Sequence, residues 1–146
     1  MISQTLEYAL RAVVILAQTP DVALTATDLS EKTQASSMYL SKVMSFLVRD
    51  GLVLSQRGPG GGFKLSRSPQ EVSLLDVMQA VEPFQRIHTC PLNLASHQGT
   101  LCPLHRHLDN TMAQIEENFR NTSIADLLGK SNVVVPLCET GAQDRK

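Results

Sequence analysis

The chain has no tryptophan, only 4% aromatic residues and three cysteines. An odd number of cysteines argues against a structural disulfide framework. The apolar run at residues 12–17 is much shorter than the roughly 20 residues needed to cross a bilayer, and no signal-cleavage site follows it. These absences predict a soluble cytoplasmic protein with no membrane association. Its 146 residues fit one domain, or a small domain with an appended helix.

The sequence also lacks the motifs of common catalytic sites. It has no nucleophile elbow and no His-Glu-x-x-His motif. The glycine-rich stretch RGPGGGF at residues 57–63 is not a typical nucleotide loop, because such loops run from a strand into a helix and this one runs between two strands. We therefore predict that the chain is not an enzyme.

Apolar periodicity predicts a helix-turn-helix in the first 51 residues. Residues 2–19 form a helix that ends before Pro20, and a capping box of Thr25 and Asp28 begins a short helix that ends near Thr33. A longer helix, SMYLSKVMSFLVR, starts at a serine cap and stops at Gly51. Its apolar face consists of Leu40, Val43, Met44 and Leu47.

The pattern then changes to that of strands. LVLSQR, with Leu52 and Leu54 as its apolar positions, and FKLSR flank the GPGGG stretch and predict a β-hairpin with a glycine-rich tip. A helix-turn-helix followed by such a ribbon is a winged helix. A further helix is predicted at residues 73–82, with Ser73 as its cap, and it stops before Pro83.

A long helix is predicted from Pro103, with apolar residues at three-to-four spacing. We expect this stripe to be buried against a second copy of the chain. The fold class is thus mainly α with a small β-hairpin wing, a winged helix-turn-helix plus a long dimerisation helix. The predicted units are a DNA-binding domain at 1–82, a sensor loop at 83–102, the dimerisation helix with a short terminal helix at 103–130, and a tail at 131–146 that is expected to be disordered. The stripe comprises Leu104, Leu108, Met112, Ile115 and Phe119.

Two elements carry residues suited to DNA. Residues 51–68 contain three basic residues and no acidic one. Arg57 stands at the base of the small, flat tip formed with Gly58, Gly60 and Gly61, a shape that fits a minor groove. The alternative is that the glycines only satisfy a tight turn, and that the polar residues of the longer helix are a solvated face. The candidate contacts in that helix are Ser36, Ser37, Tyr39, Ser41 and Lys42.

The segment TCPLNLASHQGTLCPLHRH, residues 89–107, contains two of the cysteines and three of the four histidines. Eleven residues separate Cys90 from Cys102, too many for a Cys-x-x-Cys hook. Cys102 lies at a helix N-terminus, where the helix dipole favours thiolate, and His105 is one turn further on. The alternative is a pair of inert cysteines. Cys138 is interpreted as incidental.

The stretch YLSKVMSFLVRDGLVLSQRGPGGGFKLSR, followed by SLLDVMQAVE and a cysteine-bearing loop, resembles the Rrf2 family of bacterial winged-helix transcription regulators, which includes an iron-sulfur cluster regulator and a nitric-oxide-sensitive repressor. The resemblance covers about residues 1–130. It implies a homodimer that binds a palindromic operator in double-stranded DNA. The helix at residues 103–119 would form the interface between the two copies. The family's wing arginine falls on Arg57 and its recognition-helix contacts on the five residues above.

Cluster-binding members of that family carry three cysteines with five residues between neighbours. The outer two match Cys90 and Cys102, but Ser96 occupies the middle position. The resemblance implies His105 as a further ligand and Glu7 as a carboxylate ligand from the partner subunit, completing a site for a two-iron two-sulfur cluster. Ser96, His88 and His97 are the substitutes.

Three sensing mechanisms follow as expectations. The first is a repressor that senses redox state, nitric oxide or iron through the iron-sulfur cluster. The second is a cluster-free regulator in which Cys90 and Cys102 form a reversible disulfide. The third is a regulator that senses through a bound metabolic enzyme.

Overall fold

A computed structural model describes residues 2–129 of the chain. The described part is mainly helical and contains one two-stranded antiparallel hairpin, as predicted. In chain order the elements are α1 (Gln4–Gln18), α2 (Ala26–Thr33), α3 (Ser37–Arg49), β1 (Val53–Gln56), β2 (Gly62–Leu65), α4 (Leu74–Val81), α5 (Pro103–Arg120) and α6 (Ile124–Gly129), with short 3-10 turns at Pro69–Glu71 and Ala95–His97.

The first three helices form the predicted helix-turn-helix core. The Thr25 hydroxyl accepts a hydrogen bond from the backbone N–H of Asp28, whose carboxylate accepts one from the backbone of Thr25, so the capping box is confirmed. The serine that caps α3 is Ser36, whose hydroxyl accepts from the backbone N–H of Tyr39, and Ser37 is the first helical residue. The predicted apolar face of α3 is at most 1% exposed at Leu40, Val43, Met44 and Leu47.

The hairpin forms with Val53 opposite Leu65 and Gln56 opposite Gly62. One detail of its predicted pattern is wrong. Leu54 is 46% exposed, whereas Val53 faces the core. The strand begins only at Val53, because the preceding residue, Leu52, is already buried against the end of α3. Phe63 also exchanges two backbone hydrogen bonds with Leu24, at 2.9 and 2.7 Å, which fixes the base of the wing against the segment before α2.

The C-terminal end of α5 is joined to the winged-helix core. The backbone N–H of Leu74 donates to Thr122 (2.9 Å), and that of Ile124 donates to Val72 (2.8 Å). Ile124 is fully buried, so α6 packs against α1 as part of the core. The C-terminal end of α5 is therefore held by the winged-helix part of the chain, residues 2–82, which we call the head, whereas its N-terminal end carries Cys102.

The long helix α5 has no buried residue within the single chain. Leu104, Leu108 and Ile115 are 64%, 42% and 41% exposed, respectively. The half-buried residues Met112 and Phe119 line an apolar groove of about 750 Å³. Other walls of this groove are Ile2, Leu6, Met78, Pro83 and Phe84.

Within residues 2–129 no helix combines the length and the hydropathy needed to span a bilayer. The predicted disordered tail and Cys138 lie outside the described residues.

Candidate DNA-binding surface and sensor loop

The outward face of α3 is polar and basic. Ser41 and Lys42 are exposed, and Lys42 makes no ion pair within the part of the chain that the structure describes. The two serines at the start of the helix have local roles. Ser36 caps α3, and the hydroxyl of Ser37 lies 3.4 Å from that of Ser30, which joins the start of α3 to α2.

Tyr39 is directed to α1 and not to the open side of α3. Its hydroxyl is 2.6 Å from the hydroxyl of Thr5, and its ring packs edge to face on Tyr8 at a centroid distance of 5.4 Å. Edge-to-face aromatic pairs stabilise helix packing. These contacts give Tyr39 a packing role, and its predicted contact with DNA stays a prediction.

The wing presents Arg57 beside a tip whose shape depends on glycine. Gly58 and Gly60 have φ values of +93° and +74°, which side-chain-bearing residues rarely adopt, and a Cβ on Gly61 would collide with the carbonyl oxygen of Gln56. Arg57 is exposed and has no acidic partner among residues 2–129. The tip is thus narrow, and its guanidinium is available to an anionic ligand.

The sequence prediction omits three outward-facing residues of α3, because it selects hydroxyl-bearing and charged residues of the first turns. Met38, Ser45 and Arg49 lie on the same exposed face as Lys42. Counting every third or fourth residue from Lys42 would have found them, because that spacing defines one helical face.

An ion-pair clamp holds the start of the sensor loop on α5. The guanidinium of Arg86 donates two hydrogen bonds of 2.7 Å to the carboxylate of Asp109 and lies 3.4 Å from Glu116. The backbone N–H of Ile87 also donates to Asp109, at 2.9 Å. The hydrogen bonds from Arg86 lower the pKa of the Asp109 carboxyl from 3.8 to about 2. The sequence prediction missed this clamp because its partners are 23 residues apart.

Cys90 is the buried thiol of the loop. It is 5% exposed, and its Sγ lies 3.4 Å from Nδ1 of His97. The hydrogen bond with His97, helped by the backbone N–H groups of Leu92 and Leu94, lowers the pKa of the Cys90 thiol. Cys90 and His97 line a cavity of about 280 Å³ with His88. A small oxidant fits such a cavity.

Cys102 forms the second sulfur–imidazole pair. It occupies the cap position of α5, directly before Pro103, and its Sγ lies 3.3 Å from Nδ1 of His105. The side chain is half-buried, and neither it nor Cys90 is in a disulfide. The predicted closeness of Cys102 and His105 is therefore observed.

The four predicted cluster ligands do not form a site in the single chain. Within residues 2–129 no three Cys, His, Asp or Glu side chains gather in a group that could hold a metal ion. Glu7 accepts a 3.0 Å hydrogen bond from Arg11, which also donates to the carbonyl of Thr33. Ser96 and His88 are exposed, and neither makes a hydrogen bond to a cysteine. The donors form two separate Cys–His pairs, so the arrangement does not fit a preformed four-ligand cluster.

Comparison with known proteins agrees with this architecture. A family profile described as Rrf2, iron-dependent transcriptional regulator, matches residues 2–130. The ORF2 HTH-type transcriptional regulator of Azotobacter vinelandii is 35% identical over 106 residues, 73% of this chain and 65% of the relative. The HTH-type transcriptional regulator IscR of Serratia proteamaculans is 31% identical over 108 residues, 74% of this chain and 66% of the relative. The chain thus spans just under two thirds of the length of both relatives.

A solved structure shares the fold. CymR of B. subtilis, described as the global cysteine regulator, superposes with a TM-score of 0.72 at 23% sequence identity. The superposition covers 90% of this chain and 98% of CymR.

Proposed function

The chain belongs to the Rrf2 family of transcriptional regulators, and from this membership we propose that it acts as a homodimeric repressor that binds a palindromic operator and responds to oxidation of Cys90 and Cys102. As a member of this family it is a DNA-binding regulator and not an enzyme. The observation that carries the sensing part of the proposal is the presence of two separate sulfur–imidazole pairs on the segment that leads into α5.

The proposed DNA surface consists of α3 and the wing. Residues 34–49 and 51–68 together contain five basic residues and no acidic one. In winged helices the recognition helix enters the major groove with its N-terminal residues near the base edges, and basic residues neutralise phosphates. Lys42 supplies such a charge on the helix, and Arg57 reaches the neighbouring minor groove from the wing.

The proposed dimer interface is the apolar face of α5. Leu104, Leu108 and Ile115 remain exposed in the single chain, and contiguous exposed apolar surface of this kind marks an interface. A second copy related by a two-fold axis presents the same stripe, so that each helix buries the other. Two heads joined in this way match two half-sites separated by about one turn of DNA.

The sensing step that we propose is a disulfide between Cys90 and Cys102. The Cys90 thiolate attacks one oxygen of a hydroperoxide, and the O–O bond breaks. The sulfur becomes a sulfenic acid, and the rest of the peroxide takes up a proton and leaves as an alcohol or as water. The Cys102 thiol then displaces the hydroxyl group as water and forms the S–S bond. The disulfide closes a ring of 13 residues. Each sulfur is paired with a different histidine in the structure, so we expect the bond to draw the N-terminal end of α5 toward Cys90. That movement changes the relation between the two heads and releases DNA.

An iron-sulfur cluster is the second candidate. Two thiols and two imidazoles, from Cys90, His97, Cys102 and His105, have the donor composition of a Rieske centre. The family description as iron-dependent favours this reading. Ser96 at the middle cysteine position argues against it, whereas the separation of the two pairs does not, because both a cluster and a disulfide require the pairs to approach each other.

One preparation distinguishes the two candidates. The protein is purified without oxygen and analysed for iron and acid-labile sulfide, then treated with hydrogen peroxide and digested for mass spectrometry. The proposal expects neither iron nor sulfide above background, and a Cys90–Cys102 disulfide after oxidation. Two irons and two sulfides per chain or per dimer would instead establish the cluster, and the absence of both metal and disulfide would contradict both candidates.

A further inference from the structure

The face of α3 opposite to the core carries a methionine that the fold does not explain. Met38 is 87% exposed, more than any other large apolar side chain that the structure describes. It is the second residue of α3 and lies roughly 160° around the helix axis from the buried Leu40. Its side chain thus contributes nothing to the core and extends into solvent.

The neighbours of Met38 on this face are polar or cationic. Ser41, Lys42, Ser45 and Arg49 are all exposed, and the guanidinium of Arg49 lies over the ring of Phe46 at 5.2 Å. A single apolar side chain surrounded by hydroxyls and positive charge does not fit an apolar protein surface. It fits a polyanion that offers small apolar groups between hydrogen-bonding ones.

The major groove of DNA has that character. The C5-methyl group of thymine is the only apolar group on the base edges there, and apolar side chains read it by contact. The N-terminal residues of a recognition helix are the ones that come closest to the base edges. Methionine suits the task because its unbranched, polarizable thioether adapts to the position of the methyl group.

We propose that Met38 reads the C5-methyl group of a thymine in each half-site of the operator. This inference rests on the proposed function, since it requires α3 to enter the major groove. It adds an apolar specificity contact to the hydroxyl and charge contacts that were predicted from the sequence. Burying one methyl group against a side chain corresponds to roughly a fourfold gain in affinity.

The test uses DNA sites selected from a pool of random duplexes by the reduced full-length chain. Each thymine of the selected site is replaced singly by uracil, which removes the methyl group and leaves the base-pairing edge unchanged. The affinity of the wild-type chain is expected to fall by about threefold to fivefold at one symmetric thymine position. Met38→Ala removes the contact from both half-sites, so it should bind the unmodified site more weakly by about the square of that factor, roughly tenfold to twenty-fivefold, and show no further loss with uracil at that position.

Two further variants serve as controls. Met38→Leu should keep most of the uracil sensitivity, because leucine offers a similar apolar contact. Val22→Ala removes a 56% exposed apolar side chain outside α3 and should leave both affinity and uracil sensitivity unchanged. If Met38→Ala retains the full uracil penalty, or if no uracil affects the wild type, the inference is overturned while DNA binding stands. If the pool yields no enriched sequence, the proposed function fails and the inference fails with it.

Discussion

At the scale of single residues, the sensor loop depends on contacts between sulfur and imidazole. Cys90 is buried and still has a lowered thiol pKa, because the His97 hydrogen bond and two backbone N–H groups stabilise the thiolate. Apolar burial alone would have raised that pKa. The proposed function therefore expects the Cys90 thiol to react more readily with small oxidants that enter its cavity than with large reagents.

His97→Gln removes the imidazole that lowers the Cys90 pKa, so the thiolate fraction at pH 7 falls. We expect the rate of Cys90 alkylation by iodoacetamide to decrease by roughly threefold or more, since each pKa unit changes the thiolate fraction about tenfold. Peptide-resolved mass spectrometry separates Cys90 from the other two cysteines.

The control for this prediction is His88→Gln. His88 lines the same cavity but makes no hydrogen bond to Cys90 among the described contacts. Its replacement should leave the alkylation rate within twofold of the wild type. Equal slowing by both substitutions would show that the cavity shape, and not the Cys90–His97 hydrogen bond, sets the reactivity.

The residue scale also marks a limit of prediction from sequence. Tyr39 has the polar tip and the helix position of a DNA contact, yet it pairs with Thr5 and Tyr8 of another helix. The sequence likewise indicates His97 only as a substitute cluster ligand and does not pair it with Cys90. Both outcomes depend on side-chain directions and loop turns, which local spacing does not determine.

At the scale of elements, the proposed function gives α3 and the wing different tasks on DNA. Lys42→Ala removes a phosphate contact from the helix, so binding to the selected site and to random DNA should weaken alike. The slope of log affinity against log salt should fall by about one for each half-site. Arg57→Ala should weaken binding to the selected site more than binding to random DNA, because a minor-groove arginine reads groove width.

Fluorescence anisotropy at several salt concentrations measures these effects. Arg106→Ala provides a charge-matched control, because Arg106 is an exposed residue of α5 outside the proposed DNA surface. Its removal should change the salt slope much less. If Lys42→Ala and Arg57→Ala both behave like Arg106→Ala, the assignment of the DNA-binding surface is wrong.

The clamp between the sensor loop and α5 gives a prediction on pH. In the folded chain the pKa of the Asp109 carboxyl is about 2, below its ordinary value of 3.8. The clamp therefore contributes its full stability above about pH 4 and loses it as the pH falls through about 2. The NMR amide shift of Ile87, whose N–H donates to Asp109, should stay constant from about pH 6 to about pH 3.

Asp109→Asn is the reference for this titration, since it removes the ionisable group at the same position. The Ile87 shift of this variant should show no acid transition in the range. A wild-type transition with its midpoint near the ordinary pKa would mean that Arg86 does not hold the loop on α5 in solution.

Elements were the most predictable level of this molecule. The capping box at Thr25, the helix cap at Ser73, the proline at the start of α5 and the glycines of the wing are local signals, and the structure bears them out. The backbone bridge between Leu24 and Phe63 and the clamp between Arg86 and Asp109 join distant parts of the chain. Apolar periodicity does not indicate such pairings, because they form only when the chain is packed.

At the scale of the whole molecule, the proposed function requires α5 to connect sensing to DNA binding. Its first residues carry Cys102 and His105, its middle residues hold the loop through Asp109, and its end is joined to the head at Ile124. A helix transmits a displacement at one end to the other because its backbone is rigid. In the proposed dimer, a small movement at the sulfur atoms would therefore change the spacing of the two heads.

The dimer itself can be tested with Ile115→Glu, which puts a charge on the apolar stripe of α5. We expect the wild type to sediment as a dimer and this variant as a monomer, because the carboxylate would be buried without a partner. Operator affinity should fall, since one head then binds one half-site. Asn110→Glu, an exposed position on another face of α5, is the control and should remain dimeric. A wild type that sediments as a monomer would contradict the account.

The most direct test is the affinity of the metal-free protein for its selected DNA site in the reduced and in the peroxide-oxidised state. The account predicts at least a tenfold lower affinity after oxidation, equivalent to about 1.4 kcal/mol, and the loss of this difference in both Cys90→Ser and Cys102→Ser. Equal affinities in the two states of the wild type, or a difference that persists in both variants, would contradict it.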